Sequence, residues 1–171
     1  VADARIAVET LARRADGVMH FVESYRQISR APEIRTRPID VAAWGRELES
    51  LFRASDRAQG IEFTLSLDET LTLDADPDLM SQVLINLIDN ALKFTPSGGS
   101  VSISCESRGQ EIRFRVRDTG RGIDEAHLTR IFDLFWQAKA TAHLGGGFGL
   151  AIAKSIVERH GVRKRLKRLR Y

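Results

Sequence analysis

Asn86, Asn90 and Lys93 sit at spacings of four and three within the stretch QVLINLIDNALKFT, residues 82–95. Those intervals put the three on one side of a helix and leave Met80, Leu84, Leu87, Ile88 and Ala91 on the other. Asn is only an average helix former, because its short amide competes for backbone hydrogen bonds, and a merely solvated face would more typically use Glu, Lys, Gln and Arg. On this helix alone, the plainer alternative of a solvated stripe stays open. Chemically, an amide oxygen is a hard, neutral ligand suited to Mg²⁺, a metal that keeps several waters and bridges to phosphate oxygens. Neutrality matters beside a polyphosphate, where an Asp would add repulsion. Lys93, one turn from Asn90, can meet a phosphate as a point charge.

Two further constellations are glycine-based. In VRDTGRGID, residues 116–124, Gly120 and Gly122 permit a tight turn and close backbone approach. Asp118 there offers a carboxylate that can accept a hydrogen bond from an exocyclic amine such as that of adenine. Turns of this composition are common, so the motif is weak alone. In GGGFGLAIAK, residues 145–154, a glycine run opens a helix, where outward-pointing N–H groups and the helix dipole favour an anion; a flexible loop is the alternative. Neither Gly-x-x-x-x-Gly-Lys-Ser/Thr nor Gly-x-Gly-x-x-Gly occurs, so a P-loop NTPase and a dinucleotide-binding enzyme are not supported.

These segments need elements to hold them. Val1, Ala4, Val8, Leu11, Ala15, Val18, Val22 and Tyr25 step by three and four, the seam of a coiled coil or helical bundle, until Pro32 ends it. Asp40 can cap a second helix with Val41, Trp44, Leu48, Leu51 and Phe52 on one face and Gly60 near its end. IEFTLSL and LTLD alternate as strands, and Asp76 followed by Pro77 announces the helix of the asparagines. SVSISC and EIRFRV resemble a hairpin joined through ESRGQ; a short helix DEAHLTRIF and a final helix LAIAKSIVERH follow the Asp-Gly turn. This mixture predicts an α/β (α+β) sandwich, a mixed sheet packed on a layer of helices, preceded by a long N-terminal dimerisation helix. The divisions are residues 1–31, a linker at 32–39, a domain at 40–162 and a basic tail at 163–171.

Taken in order, Asn-x-x-x-Asn-Ala-x-Lys-Phe, Asp-x-Gly-x-Gly, IFDLFWQ and Gly-x-Gly-x-Gly-Leu resemble the ATP-binding catalytic domain of sensor histidine kinases, within the GHKL ATPase superfamily. The resemblance is strong over residues 77–161 and weaker over 1–60. It implies Asn90 as the Mg²⁺ ligand with Asn86 beside it, Lys93 on the phosphates and Phe94 as a further nucleotide-binding residue. It implies Asp118 as the adenine-amine acceptor, with Gly120, Gly122 and Ile123 shaping that pocket. Phe132 and Phe135 match the phenylalanine motif at the edge of the ATP lid, residues 137–144 the lid, and Gly145, Gly147, Gly149 and Leu150 the phosphate-side glycine box. Outside the motif context, the two phenylalanines read as core aromatics. Gly146 stands where Ser or Thr is common and Phe148 where Leu is.

Residues 1–31 then resemble the second helix of a phosphoacceptor hairpin, implying a homodimer through residues 1–30. None of His20, His127, His143 and His160 has the setting of a phosphorylated histidine, and His127 and His160, near helix ends, are expected to be solvent-exposed. The implied activity is transfer of the ATP γ-phosphate to a histidine not in this chain, with a phosphoacceptor helix and a response regulator as partners and no catalytic nucleophile supplied here. The competing reading is an ATP-binding and dimerisation module without transfer. Family members usually add two strands after His-Gly, whereas VRKRLKRLRY follows here, so an uncovered sheet edge is expected.

The net charge of +3 hints at nucleic acid until it is located. The last nine residues hold six of the 26 basic side chains and no acidic one, leaving 20 basic against 23 acidic in the body. No nucleic-acid partner is expected from that balance. Cys105 reads as a small core residue and excludes an internal disulfide. No apolar run approaches the roughly 20 residues that cross a bilayer, and VADARIAVET lacks a secretory signal pattern. The expected setting is cytoplasmic, including the cytosolic part of a membrane-anchored sensor.

Overall fold

The computed structural model describes residues 33–53, 55, 58–109, 111–133, 136 and 147–160. The expected dimerisation helix, the lid, Phe135, Gly145 and the basic tail lie outside the described residues. In chain order the elements are β1 (Arg37–Asp40), α1 (Val41–Arg53), β2 (Glu62–Leu67), β3 (Thr72–Ala75), α2 (Pro77–Phe94), β4 (Ser100–Arg108), β5 (Glu111–Asp118), a 3₁₀ turn (Glu125–His127) and α3 (Gly149–Arg159). β2 runs parallel to β4, which pairs antiparallel with β5, while β1 and β3 form a separate antiparallel pair. The result is an α+β fold with a mixed sheet and helices. Strand β1 arises within a segment that the sequence reading places in a linker; Ile39 is its one buried residue and joins the core.

Alternation along β4 and β5 decides which sheet face is covered. Val101, Ile103 and Cys105 point inward, with Phe114 and Val116 beside them, against α1 and α2. Trp44 of α1 meets Phe114 edge-on at 5.7 Å and donates its indole N–H to Ser81 Oγ at 2.6 Å, so its polar edge is satisfied within the packing. Ile88 of α2 is fully buried at the centre, and such burial contributes about 1.5–3 kcal/mol. Burial pushes the Cys105 thiol up to about 11, with Asp68 and Glu106 adding to the effect, which agrees with a core role.

Three expectations are corrected. Leu51 is 56% exposed, because it stands at the margin of the apolar stripe in the last turn of α1. Gly60 does not end that helix; at φ 75° it serves the turn into β2. DEAHLTRIF forms a single 3₁₀ turn followed by i→i+3 bonds from Arg130 N to His127 O and Asp133 N to Arg130 O. Only Ile131 is buried there, too little apolar surface to anchor a longer helix.

The start of α2 is the most heavily bonded point. The Asp76 carboxylate accepts N–H bonds from Asp78 and Leu79 at 3.1 Å each and from Arg35 at 2.9 Å, and Pro77 occupies the first helical position, where no N–H is needed. Asp76 N–H donates to His160 Nε2 at 3.4 Å, while His160 Nδ1 lies 2.9 Å from Ile156 O, so the end of α3 is tied to the start of α2. His160 is therefore half-buried rather than exposed; His127 is exposed as expected. Burial opposes ionisation of Asp76, but the N–H bonds from Arg35, Leu79 and Asp78 outweigh it and hold the carboxyl below its ordinary value. Its stabilising contribution is thus complete above the ordinary aspartate range and lost as pH falls through the folded value. Asp76→Ala is expected to lower urea-unfolding stability by about 2 kcal/mol near neutral pH, with the deficit shrinking in strong acid. A deficit independent of pH would show that the carboxylate charge is not what caps the helix.

Candidate nucleotide-binding site

Helix α2 carries the asparagine face because its other residues are drawn into two separate apolar clusters. Met80, Leu84, Ile88, Ala91 and Leu92 enter the sheet core, while Val83 packs with Phe148, Ile152, Ala153 and Ile156 of the α3 segment. Leu87, expected in the main core, joins the second cluster instead. Asn86, Asn90 and Lys93 remain half-exposed.

The second cluster brings the glycine helix onto that face. A Cβ on Gly149 would lie 3.3 Å from Asn86 Oδ1, so Asn86 stands against the first residue of α3. Gly147 has φ 74°, a left-handed conformation that favours glycine. Phe148 makes no side-chain cap bond and is buried in the second cluster, which keeps its ring off the N–H groups of the first turn of α3. Asn86 Nδ2 is buried and has no hydrogen-bond partner among the described residues. A leftover amide donor beside an uncapped helix start suits an acceptor-rich ligand, since an unpaired buried donor is costly. Among the described residues no three His, Cys, Asp or Glu side chains gather as a metal site. A divalent ion here would therefore rest on amide oxygens and on the oxygens of an anionic ligand.

The Asp-Gly turn closes the far end of α2. It is anchored to β4 by Thr119 N–H to Ser100 O at 3.0 Å and by Ser100 N–H to Thr119 Oγ1 at 2.8 Å. Asp118 Oδ1 accepts Gly120 N–H at 2.9 Å. A Cβ on Gly120 would come within 2.6 Å of the Phe94 carbonyl oxygen, so glycine is needed for the approach to α2. Gly122 is needed for its φ of 68°. An open cleft of about 460 Å³ lies here, lined by Lys93, Phe94, Thr95 and Pro96 from the end of α2 and by Thr119, Gly120 and Arg121 from the turn.

All three constellations thus border one helix. Leu150 is half-buried in the first turn of α3, Ile123 is 45% exposed beyond Gly122, and Phe132 is half-buried with Lys154 Nζ 6.0 Å from its ring centroid. The sequence reading overlooked Arg121, Thr119 and Lys154. Arg121 had a signal, since a long cation stands between two glycines of a turn, but its neighbours are set by tertiary contacts.

A family model described as histidine kinase-, DNA gyrase B- and HSP90-like ATPase matches residues 75–169. Among curated proteins, the signal transduction histidine-protein kinase BaeS of Escherichia coli (strain K12) is 29% identical over 163 residues, covering 91% of this chain and 35% of that protein. The chain thus spans about a third of that relative. Among solved structures, full-length ShkA in complex with AMPPNP superposes with a TM-score of 0.75 at 31% identity, over 94% of this chain and 35% of ShkA. Histidine kinase ThkA in complex with response regulator protein TrrA gives 0.71 at 27% identity, over 92% of this chain and 43% of that one.

The close approach of turn and helix is testable by itself. Gly120→Ala should cost about 1–3 kcal/mol in urea denaturation, because the new methyl meets a backbone carbonyl that cannot swing aside. An unchanged midpoint would mean that the turn does not press on the end of α2.

Proposed function

Because the chain belongs to the histidine kinase-, DNA gyrase B- and HSP90-like ATPase family, among the catalytic domains of sensor histidine kinases, we propose that it binds Mg-ATP and presents the γ-phosphate to a histidine outside its 171 residues. The observation that carries this reading is the asparagine face of α2, bordered by the uncapped glycine helix near Asn86 and by the Asp-Gly turn at Phe94. From Asn86 to Lys93 that face runs about 10 Å along the helix axis, a suitable path for a phosphate chain. The base would turn toward Asp118.

In this assignment Asp118 accepts from the adenine amine, and Gly120, Gly122 and Ile123 form the wall of that pocket. Asn90 and Asn86 offer amide oxygens to Mg²⁺, and the unpaired Asn86 Nδ2 has a donor left for a phosphate or water oxygen. Lys93 faces the phosphate side, where Gly147, Gly149 and Leu150 present backbone N–H groups and to which Gly145 is assigned by the motif; Phe94 is a further nucleotide-binding residue. Phe132 borders the lid. Bound Mg²⁺ would supply charge neutralisation across the phosphate oxygens. The chain's own share is to orient the nucleotide, exclude water and spread charge, since phosphoryl transfer leaves little covalent work to the protein. No nucleophile is assigned here.

The acceptor histidine would lie on a helix of the same or a partner protein, and a response regulator would take the phosphoryl group onward, as the ThkA pairing with TrrA suggests by likeness. Homodimerisation through residues 1–30 and a cytoplasmic setting belong to the same proposal. Among the described residues no helix is long and apolar enough to cross a membrane.

In calorimetry with an ATP analogue, Asn90→Ala is expected to remove the Mg²⁺-dependent part of binding and Asp118→Ala to remove binding altogether; unchanged affinity in both variants refutes the site. Deleting residues 1–30 should give a monomer by light scattering, and persistent dimers would place the interface elsewhere.

A further inference from the structure

The sheet face that turns away from α1 and α2 carries a row of cations. The alternation that sends Ile103, Phe114 and Val116 toward the core sends Arg113, Arg115 and Arg117 of β5 to the opposite side, in register with Glu106, Ser104 and Ser102 of β4. Successive arginines of the row are about 7 Å apart, the length of two strand residues. Arg115 and Arg117 are exposed and Arg113 is half-buried. Glu106 is the carboxylate that meets this row, and its Oε1 lies 3.6 Å from Arg115 and 3.2 Å from Arg108, so two guanidiniums share a single oxygen. Exposed pairs of that kind contribute little. Arg113 and Arg117 reach no carboxylate among the described residues, whereas Arg53 and Arg130 each have one within 4 Å. The other acids of the face stand at its margins: Glu62 is on β2, in register with Ser100, and Glu111 is opposite Arg108.

We propose that this face of β4 and β5 docks an extended acidic segment of a partner protein, whose carboxylates meet Arg113, Arg115 and Arg117 and the hydroxyls of Ser102 and Ser104. An extended chain presents alternate side chains at the same interval of about 7 Å, so acids at every second position match the row one to one. A guanidinium takes a carboxylate through two N–H groups, and a serine hydroxyl donates to a remaining lone pair. The short serines of β4 leave a shallow strip beside the longer arginines, where the partner backbone can lie. A rigid sheet holds the row in place, which lowers the ordering cost of binding. Nucleic acid fits less well, because residues 1–162 carry 20 basic against 23 acidic side chains and no aromatic ring of the described strands is on this face for a base to stack on. The surface lies across the sheet from α2, so an occupant there leaves the asparagine face open.

The test is fluorescence anisotropy of the full chain with a labelled peptide of alternating Glu and Thr, beside a labelled oligothymidylate. The Glu peptide should bind, more weakly as salt is raised. Arg113→Gln with Arg117→Gln should weaken it about tenfold, the loss expected for two exposed charge pairs. Arg113→Lys with Arg117→Lys should keep most of the affinity. Arg163→Gln with Lys164→Gln and Arg165→Gln, in the basic tail, should leave it within about twofold, less than one such pair. Absence of peptide binding overturns the proposal. So does a loss in the tail variant with none in the Arg113/Arg117 pair, which would place the peptide on the tail. An equal loss in the Gln and Lys pairs would show that charge is not what binds and also refutes it. Tighter binding of the oligothymidylate, lost in the Gln pair, would make the row a nucleic-acid surface and overturn the assignment to a protein segment.

Discussion

The packing of α3 against α2 is the constraint from which the rest of the site follows. Val83 and the partly buried Leu79 and Leu87 meet Phe148, Ile152, Ala153 and Ile156 in a cluster separate from the sheet core. This apolar contact, non-directional in itself, sets a directional arrangement, because it leaves Gly149 within van der Waals reach of Asn86. Without it the amide face would be a solvated stripe and the glycine run a loop. At the opposite end of the same helix pair, His160 accepts the Asp76 N–H, so α2 and α3 are joined both by a polar tie and by an apolar seam.

The site itself contains few charges that could quarrel with a phosphate chain. Its contributors are amides, backbone N–H groups and two cations, and the carboxylate of Asp118 is turned to its own loop through Gly120. Preorganised neutral dipoles stabilise an anion without the desolvation cost of burying formal charges. The buried Asn86 Nδ2, unpaired among the described residues, is a cost to folding that falls where binding is proposed, whereas Gly122 and Gly147 take their left-handed conformations without strain. The large apolar contributions, centred on Ile88 and the Trp44–Phe114 contact, sit on the opposite face of α2, away from this cost.

The separation of burial and recognition onto two faces of one helix also explains the tolerance of the motif to its surroundings. Phe148, a larger residue than the family pattern usually has there, is accommodated because its ring points into the second cluster and not toward the glycine helix start. The Asp-Gly turn is similarly insulated. Its position comes from the main-chain bond of Thr119 N–H to Ser100 O beside the β4–β5 pairing and from the Thr119 hydroxyl, which accepts the Ser100 N–H.

Much of the fold was legible in the residues alone. Period-two alternation marked β2, β4 and β5, and Asp76 with Pro77 marked the start of α2, because strand pleat and helix capping are local properties. The asparagine spacing also determined that Asn86, Asn90 and Lys93 share a face, since 3.6 residues per turn allows no other result in a helix. Local rules failed where local energies are weak: strand β1 and its pairing with the expected strand β3, the exposed Leu51 and the 3₁₀ turn depend on what surface a distant segment offers. Tertiary structure alone decided that Leu87 serves a second core, that His160 reaches Asp76, and that Arg121 and Lys93 line one cleft. Those are contacts between segments far apart in the chain, and side-chain type specifies what a residue can do but not which partner the packing will bring to it.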